Sequence, residues 1–171
     1  LLIWRVYLGF FGSQSSKFSD FLVGPAQVRA YVRGYVSSRD GHNPLGGWMI
    51  ILMLLTLVVQ VVTGLFNSDD IFFFGPLYFM ATDSFLGVAG EIHEFMFCIV
   101  LALVAVHVMA ILWYQIYKKR PMIQAMVLGK SSGRVGSKVS SSQGRAFLVL
   151  IVIYLAVDFG LSQAPSPPSF F

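Results

Sequence analysis

Cysteine is nearly absent from the sequence. The single thiol, Cys98, lies inside an apolar run, so no disulfide can form within the chain and no cysteine-based metal motif exists. Charge is scarce too: 12% of the 171 residues are charged and 56% are hydrophobic, against about a quarter and about half in an ordinary soluble domain. With a mean hydropathy of +0.73, this composition excludes a typical soluble domain and points to a membrane protein. The net charge of +4 does not indicate nucleic acid, because the basic residues flank apolar runs. There is no phosphate-binding loop, dinucleotide fingerprint, H-E-x-x-H or G-x-S-x-G, so nothing suggests a hydrolytic active site. No internal repeat is visible. No signal peptide is visible, with neither a basic leader nor a small-residue cleavage site before residue 20. The first residues are Leu-Leu-Ile-Trp-Arg rather than Met, and Leu1–Phe11 is apolar but only about half the length needed to span. We expect residue 1 to fall inside a helix whose start lies upstream.

What the sequence does have is long apolar runs. Three are expected to span a bilayer: 47–66, 89–117 and 146–161. With the partial helix 1–11 they predict an all-α transmembrane helical bundle, one membrane domain over 1–171. Residues 130–145, rich in Ser, Gly and basic side chains, read as a flexible linker, and 162–171 as a tail. The loops differ in charge. Segment 12–46 holds Lys17, Arg29, Arg33 and Arg39 against Asp20 and Asp40. Segment 67–88 holds Asp69, Asp70 and Asp83 and no base, while 118–145 holds seven bases and no acid. The positive-inside rule then puts 12–46 and 118–145 in the cytoplasm, and 67–88 and the C-terminus outside. Gly24-Pro25 and the residues after it read as a short interfacial helix, with Val28, Tyr31, Val32, Tyr35 and Val36 on one face. Gly75-Pro76 and the following LYFMAT suggest a matching one outside.

The chemistry rests on two histidines in the second full span. His93 and His107 are fourteen residues apart. At 100° per residue that is about 40° short of four turns, so the rings share a face, separated by about 21 Å along the axis. Imidazole is a common axial ligand of haem iron, and this spacing suits two haems stacked across a core of about 30 Å. Each haem needs a second ligand from another helix. Cys98, Ala102 and Ala105 between the histidines leave room for a flat macrocycle. The plainer alternatives remain a hydrogen-bonded structural histidine, a proton relay or a cavity lining.

Other polar residues carry weaker signals. His42 precedes the first full span in a turn or helix-start context (Asn43-Pro44), with a quinone or propionate contact at the cytoplasmic surface as the functional alternative; its place at the membrane edge argues against haem ligation. Gly46 and Gly47 permit close helix packing, and Gln60 and Thr63 are candidates for interhelix hydrogen bonds. Glu91 and Glu94 flank His93: either they mark a helix start, or one accepts the imidazole N–H. Arg5 is read as ending the partial helix at the membrane boundary, with pairing to a haem propionate as the functional alternative. Asp158 is expected to be solvated near the end of the last span. Trp4, Trp48, Trp113, Tyr114 and Tyr117 fit an aromatic belt.

Several stretches together resemble one family, the prokaryotic cytochrome b561 group that includes hydrogenase-type b cytochrome subunits. They are Ile3-Trp-Arg-Val-Tyr-Leu-Gly-Phe-Phe-Gly-Ser13, Lys17-Phe-Ser-Asp-Phe-Leu-Val-Gly-Pro25, Gly41-His-Asn-Pro-Leu-Gly-Gly-Trp-Met49, Gln60 through Gly64, Asp69-Asp-Ile71, Gly75-Pro-Leu77, His93-Glu94 and His107. The resemblance covers residues 1 to about 130. It implies a helical bundle with two b-type haems in a bacterial inner membrane, passing electrons between a redox partner and the quinone pool. Such a chain is an electron-transfer subunit rather than a stand-alone catalyst. The resemblance makes the span 89–117 the fourth helix, with His93 on the outer haem and His107 on the inner one. Their partner ligands then belong to helices upstream of residue 1. A cytochrome c-like protein, a hydrogenase or dehydrogenase subunit, and a second copy in a homodimer are all compatible partners. The alternative function is a haem-free membrane anchor, or a small transporter subunit whose histidines move protons.

Overall fold

A computed structural model describes residues 1–12, 16–34, 44–69, 71–119 and 142–165. The chain is all-α. Its helices are α1 (Leu2–Phe11), α2 (Phe18–Phe21), α3 (Pro25–Val32), α4 (Pro44–Gly64), α5 (Asp83–Ile116) and α6 (Ser142–Ser162). Among the described residues there is no strand beyond an isolated antiparallel bridge between Ser68 and Phe74. The backbone forms two compact units, 1–97 with 163–171, and 98–162.

α4 and α5 are each long and apolar enough to cross a membrane; α1 and the stretch Phe147–Ser162 of α6 are apolar but shorter. Both long helices leave large apolar side chains open, among them Leu55, Val61, Val62, Phe95, Leu101 and Val106. In water such surfaces drive aggregation. In lipid they face a solvent as apolar as themselves, and a helix bonds all its backbone groups internally. α4 starts three residues before the expected span, on Pro44, whose missing N–H costs nothing in a first turn. α5 starts six residues before its expected span, at Asp83, an acid placed at the positive end of the helix dipole. Glu91 and Glu94 therefore do not mark the helix start; they lie more than two turns inside it, and both are exposed.

In the first unit, α1 and α3 pack on α4. Missing side chains let α2 lie close to both α1 and α4. Gly9 lies where its Cβ would meet the ring of Phe18, and a Cβ on Gly47 would meet the carbonyl oxygen of Phe21. The indole of Trp48 donates to the Val23 carbonyl at 2.9 Å. Phe21 and Val23 are consequently buried beside the first turn of α4. α3 begins as expected, with Gly24 as N-cap and Pro25 in its first turn. It stops sooner, at Val32, and Gly34 two residues on takes a φ of +90° that ends a helix at little cost. Segment 76–81 yields one 3-10 turn, Tyr78–Met80, rather than an interfacial helix. The rings of Phe74, Tyr78 and Phe79 cluster there.

Arg5 also departs from expectation. It does not end its helix, since α1 continues to Phe11. Its guanidinium donates to the Ser16 carbonyl at 3.1 Å and lies 5.4 Å from the Phe18 ring centroid and 5.9 Å from that of Phe21. In the second unit, Trp113 and Tyr117 stack at 4.2 Å at the end of α5. Asp158 in α6 is exposed. His42, Arg39, Asp40, Asp70 and most of the 130–145 linker lie outside the described residues.

Candidate haem-ligand site

The site begins on α4. Gln60, Thr63 and Gly64 follow the i, i+3, i+4 spacing that places residues on one helix face. Gly64 contributes by having no side chain: its Cβ would lie 3.0 Å from Cε1 of His93. The imidazole, carried on the third turn of α5, fills that space half-buried.

Three groups of α4 then meet the two ring nitrogens. Nδ1 of His93 lies 3.1 Å from the Gln60 carbonyl oxygen and 3.1 Å from Oγ1 of Thr63. Nε2 lies 3.1 Å from Nε2 of Gln60. The chemistry of these partners assigns the proton. A carbonyl can only accept, so Nδ1 must donate to it. Thr63 has one hydroxyl hydrogen, and Val59 O at 2.8 Å takes it; toward His93 the hydroxyl therefore accepts as well. Nδ1 carries the hydrogen, and the lone pair is on Nε2, where it accepts from the Gln60 amide. The oxygen of that amide, Oε1, is buried with no hydrogen-bond partner.

This is the tautomer and the support that a metal-bound histidine uses: one nitrogen fixed by a backbone carbonyl, the other offering its lone pair. The role considered for Glu91 or Glu94 is filled by the Gln60 carbonyl and Thr63, whereas Gln60 and Thr63 do form the interhelix bonds expected of them. The neutral amide now on Nε2 leaves a buried oxygen unsatisfied, so it is a weak competitor for that lone pair. His93 thus fits an axial ligand. Among the described residues no three His, Cys, Asp or Glu gather to hold a metal ion. A metal at His93 would have to bring most of its own ligands, as a porphyrin does.

His107 lies farther along α5, half-buried and with no hydrogen-bond partner among the described residues. An unpaired imidazole in an apolar span is costly, and ligation is one way of removing the cost. Cys98, Ala102 and Ala105 are exposed on the same helix.

A family model described as prokaryotic cytochrome b561 matches residues 1–129. The chain belongs to the prokaryotic cytochrome b561 family. Membership makes it a membrane electron-transfer protein and implies haem b as its cofactor. Comparisons with curated proteins and with solved structures give no match. Within this cytochrome b561 chain the matched residues take in both histidines, the whole Gln60–Thr63–Gly64 face and Arg5. The importance of Gly64 was not evident from its type alone. What could have marked it is the Gln-x-x-Thr-Gly spacing on an otherwise uniformly apolar helix.

Proposed function

We propose that this chain is part of a di-haem b-type cytochrome that carries electrons across the membrane between a redox partner and the quinone pool, with His93 and His107 each supplying one axial ligand. The observation that carries the reading is the fixed Nδ1–H of His93, which leaves Nε2 as the coordinating nitrogen within an apolar span. The haem supplies the reversible one-electron change at its iron. The residues of this chain orient and insulate. Thr63 and the Gln60 carbonyl hold the imidazole plane, Gly64 admits it, and the apolar faces of α4 and α5 keep water away. Arg5 has guanidinium N–H groups beyond the one given to Ser16, suited to a propionate.

On this reading the protein sits in a bacterial inner membrane, with 12–46 and 118–145 on the cytoplasmic side. A cytochrome c-like or hydrogenase-type subunit serves as partner, and homodimers are allowed. The competing reading, a haem-free anchor or proton-relay subunit, draws support from the Gln60–His93 hydrogen bond, which satisfies the ring without any cofactor. The two separate in one experiment. The complete protein, purified from membranes, should show reduced-minus-oxidised b-type absorption, and His93→Ala and His107→Ala should each remove about half of the bound haem. No such absorption, or full haem content in both variants, rules out the ligand assignment.

A further inference from the structure

Between α4 and α5 the chain makes a narrow reversal. Its rungs are Leu77 N–H to Leu65 O at 2.9 Å, Gly75 N–H to Asn67 O at 2.8 Å and Asp69 N–H to Phe73 O at 3.1 Å, with the Ser68–Phe74 bridge among them. At the tip, one carboxylate oxygen of Asp69 accepts three backbone N–H groups, from Ile71 at 3.0 Å, Phe72 at 2.8 Å and Phe73 at 2.7 Å. The side chains carried outward by this turn are apolar. Ile71 is 71% exposed, Phe72 91% and Phe73 54%.

Two features are hard to reconcile with a loop that sits in water. Three successive large apolar side chains stand open, and the N–H groups beneath them are already bonded within the turn. A segment needs that second property to leave water, since an unbonded N–H is costly in an apolar phase. The loop is short. Three residues lie between the Leu65 and Asp69 rungs, so at about 3.3 Å per residue step the Asp69 rung stays within about 13 Å of Leu65. The turn is thus tethered to the end of α4, a helix long and apolar enough to cross a membrane, whose Val58, Val61 and Val62 are exposed as well.

We propose that Ile71–Phe73 is an apolar wedge, held in shape by Asp69, that seats in the lipid interface beside the α4–α5 membrane entry. Lipid is favoured over a protein partner because the wedge lies on the short connection between two helices long and apolar enough to cross a membrane.

A spin label reports this directly. The complete protein carrying Cys98→Ala and Phe72→Cys is labelled and placed in nanodiscs of phosphatidylcholine and phosphatidylglycerol, with helical content checked by circular dichroism. The label should collide severalfold more often with oxygen than with a water-soluble nickel chelate. A label at Ile71→Cys should do the same, which guards against local failure at one site. Adding Asp69→Ala should raise label mobility and reduce the oxygen excess. Collision mainly with the nickel chelate would show a solvated tip. Low collision with both reagents would show a tip covered by protein. Either result overturns the proposal, whatever the haem content proves to be.

Discussion

Replacing Gly64 by Ala tests the close approach on which the His93 site depends. The new Cβ would lie 3.0 Å from Cε1, 3.5 Å from Nδ1 and 4.0 Å from Nε2 of His93, where ordinary contact begins near 3.4 Å. The ring must retreat by about 0.4 Å, and it is poorly placed to do so. Its Nδ1 is held at 3.1 Å by both the Gln60 carbonyl and Thr63. Moving away stretches both bonds toward the distance at which they cease to count. Overpacking of this kind costs about 1–3 kcal/mol. The opposing effect is helix propensity, which favours Ala over Gly by about 1 kcal/mol in a helix interior. Gly64 is the last residue of α4, so little of that gain is realised.

The net expectation is a destabilisation of about 1–2 kcal/mol, and a protein of this size loses roughly 2–4 °C of thermal midpoint per kcal/mol. Gly87→Ala is the matched control. Gly87 lies within α5 with nothing inside 4 Å of its Cβ position, so the same change should stabilise by about 0.5–1 kcal/mol. Thermal unfolding followed by circular dichroism in one detergent should move the two variants in opposite directions. The Soret band should change in Gly64→Ala alone. If Gly64→Ala is as stable as the parent with an unchanged spectrum, the imidazole does not sit against Gly64, and the site described here is wrong.

Thr63→Val keeps the shape of a buried side chain but removes an acceptor from Nδ1–H of His93. It should cost about 0.5–1.5 kcal/mol and raise the midpoint potential of haem held by His93, because a ring nitrogen with fewer acceptors makes its partner a poorer electron donor; redox titration checks this, and Thr63→Ser should restore the parent value. Trp48→Phe strands the Val23 carbonyl and should cost about 1–3 kcal/mol, visible as faster proteolysis at Lys17 and Arg29. Asp69 is held below the usual carboxylate value of 3.8, chiefly by the N–H of Phe73 and then those of Ile71 and Phe72. A lowered folded value means the turn is fully supported above 3.8 and loses support as pH falls through the lower folded value. The mobility of a label at position 72 should therefore stay flat from neutrality to about pH 4 and rise only in stronger acid, a rise that Asp69→Ala abolishes.

The membrane helices were legible because the bilayer imposes a length and a composition that few other structures share. The expected span 47–66 overlaps α4 over all but a few terminal residues. The start of α5 was missed for a physical reason: hydropathy marks where lipid begins, whereas the helix begins where Asp83 meets its dipole. Hydrogen bonds were less legible than spans. Glu91 and Glu94 looked like partners for His93 because they are near it in sequence, but residues one or two positions apart on a helix point to different faces. The partners that the fold supplies are thirty or more residues away. They become recognisable only as a set. A glutamine in an apolar span is ambiguous, and so is a threonine that bonds back to its own helix. A glycine at a helix end usually means nothing more than a stop. At positions 60, 63 and 64 they stand on one face, and each supplies what the other two lack: a carbonyl and an amide, a hydroxyl limited to accepting, and the room for a ring to reach both. Only a side chain with a donor and an acceptor on opposite sides of a flat ring uses all three, and on α5 that side chain is His93.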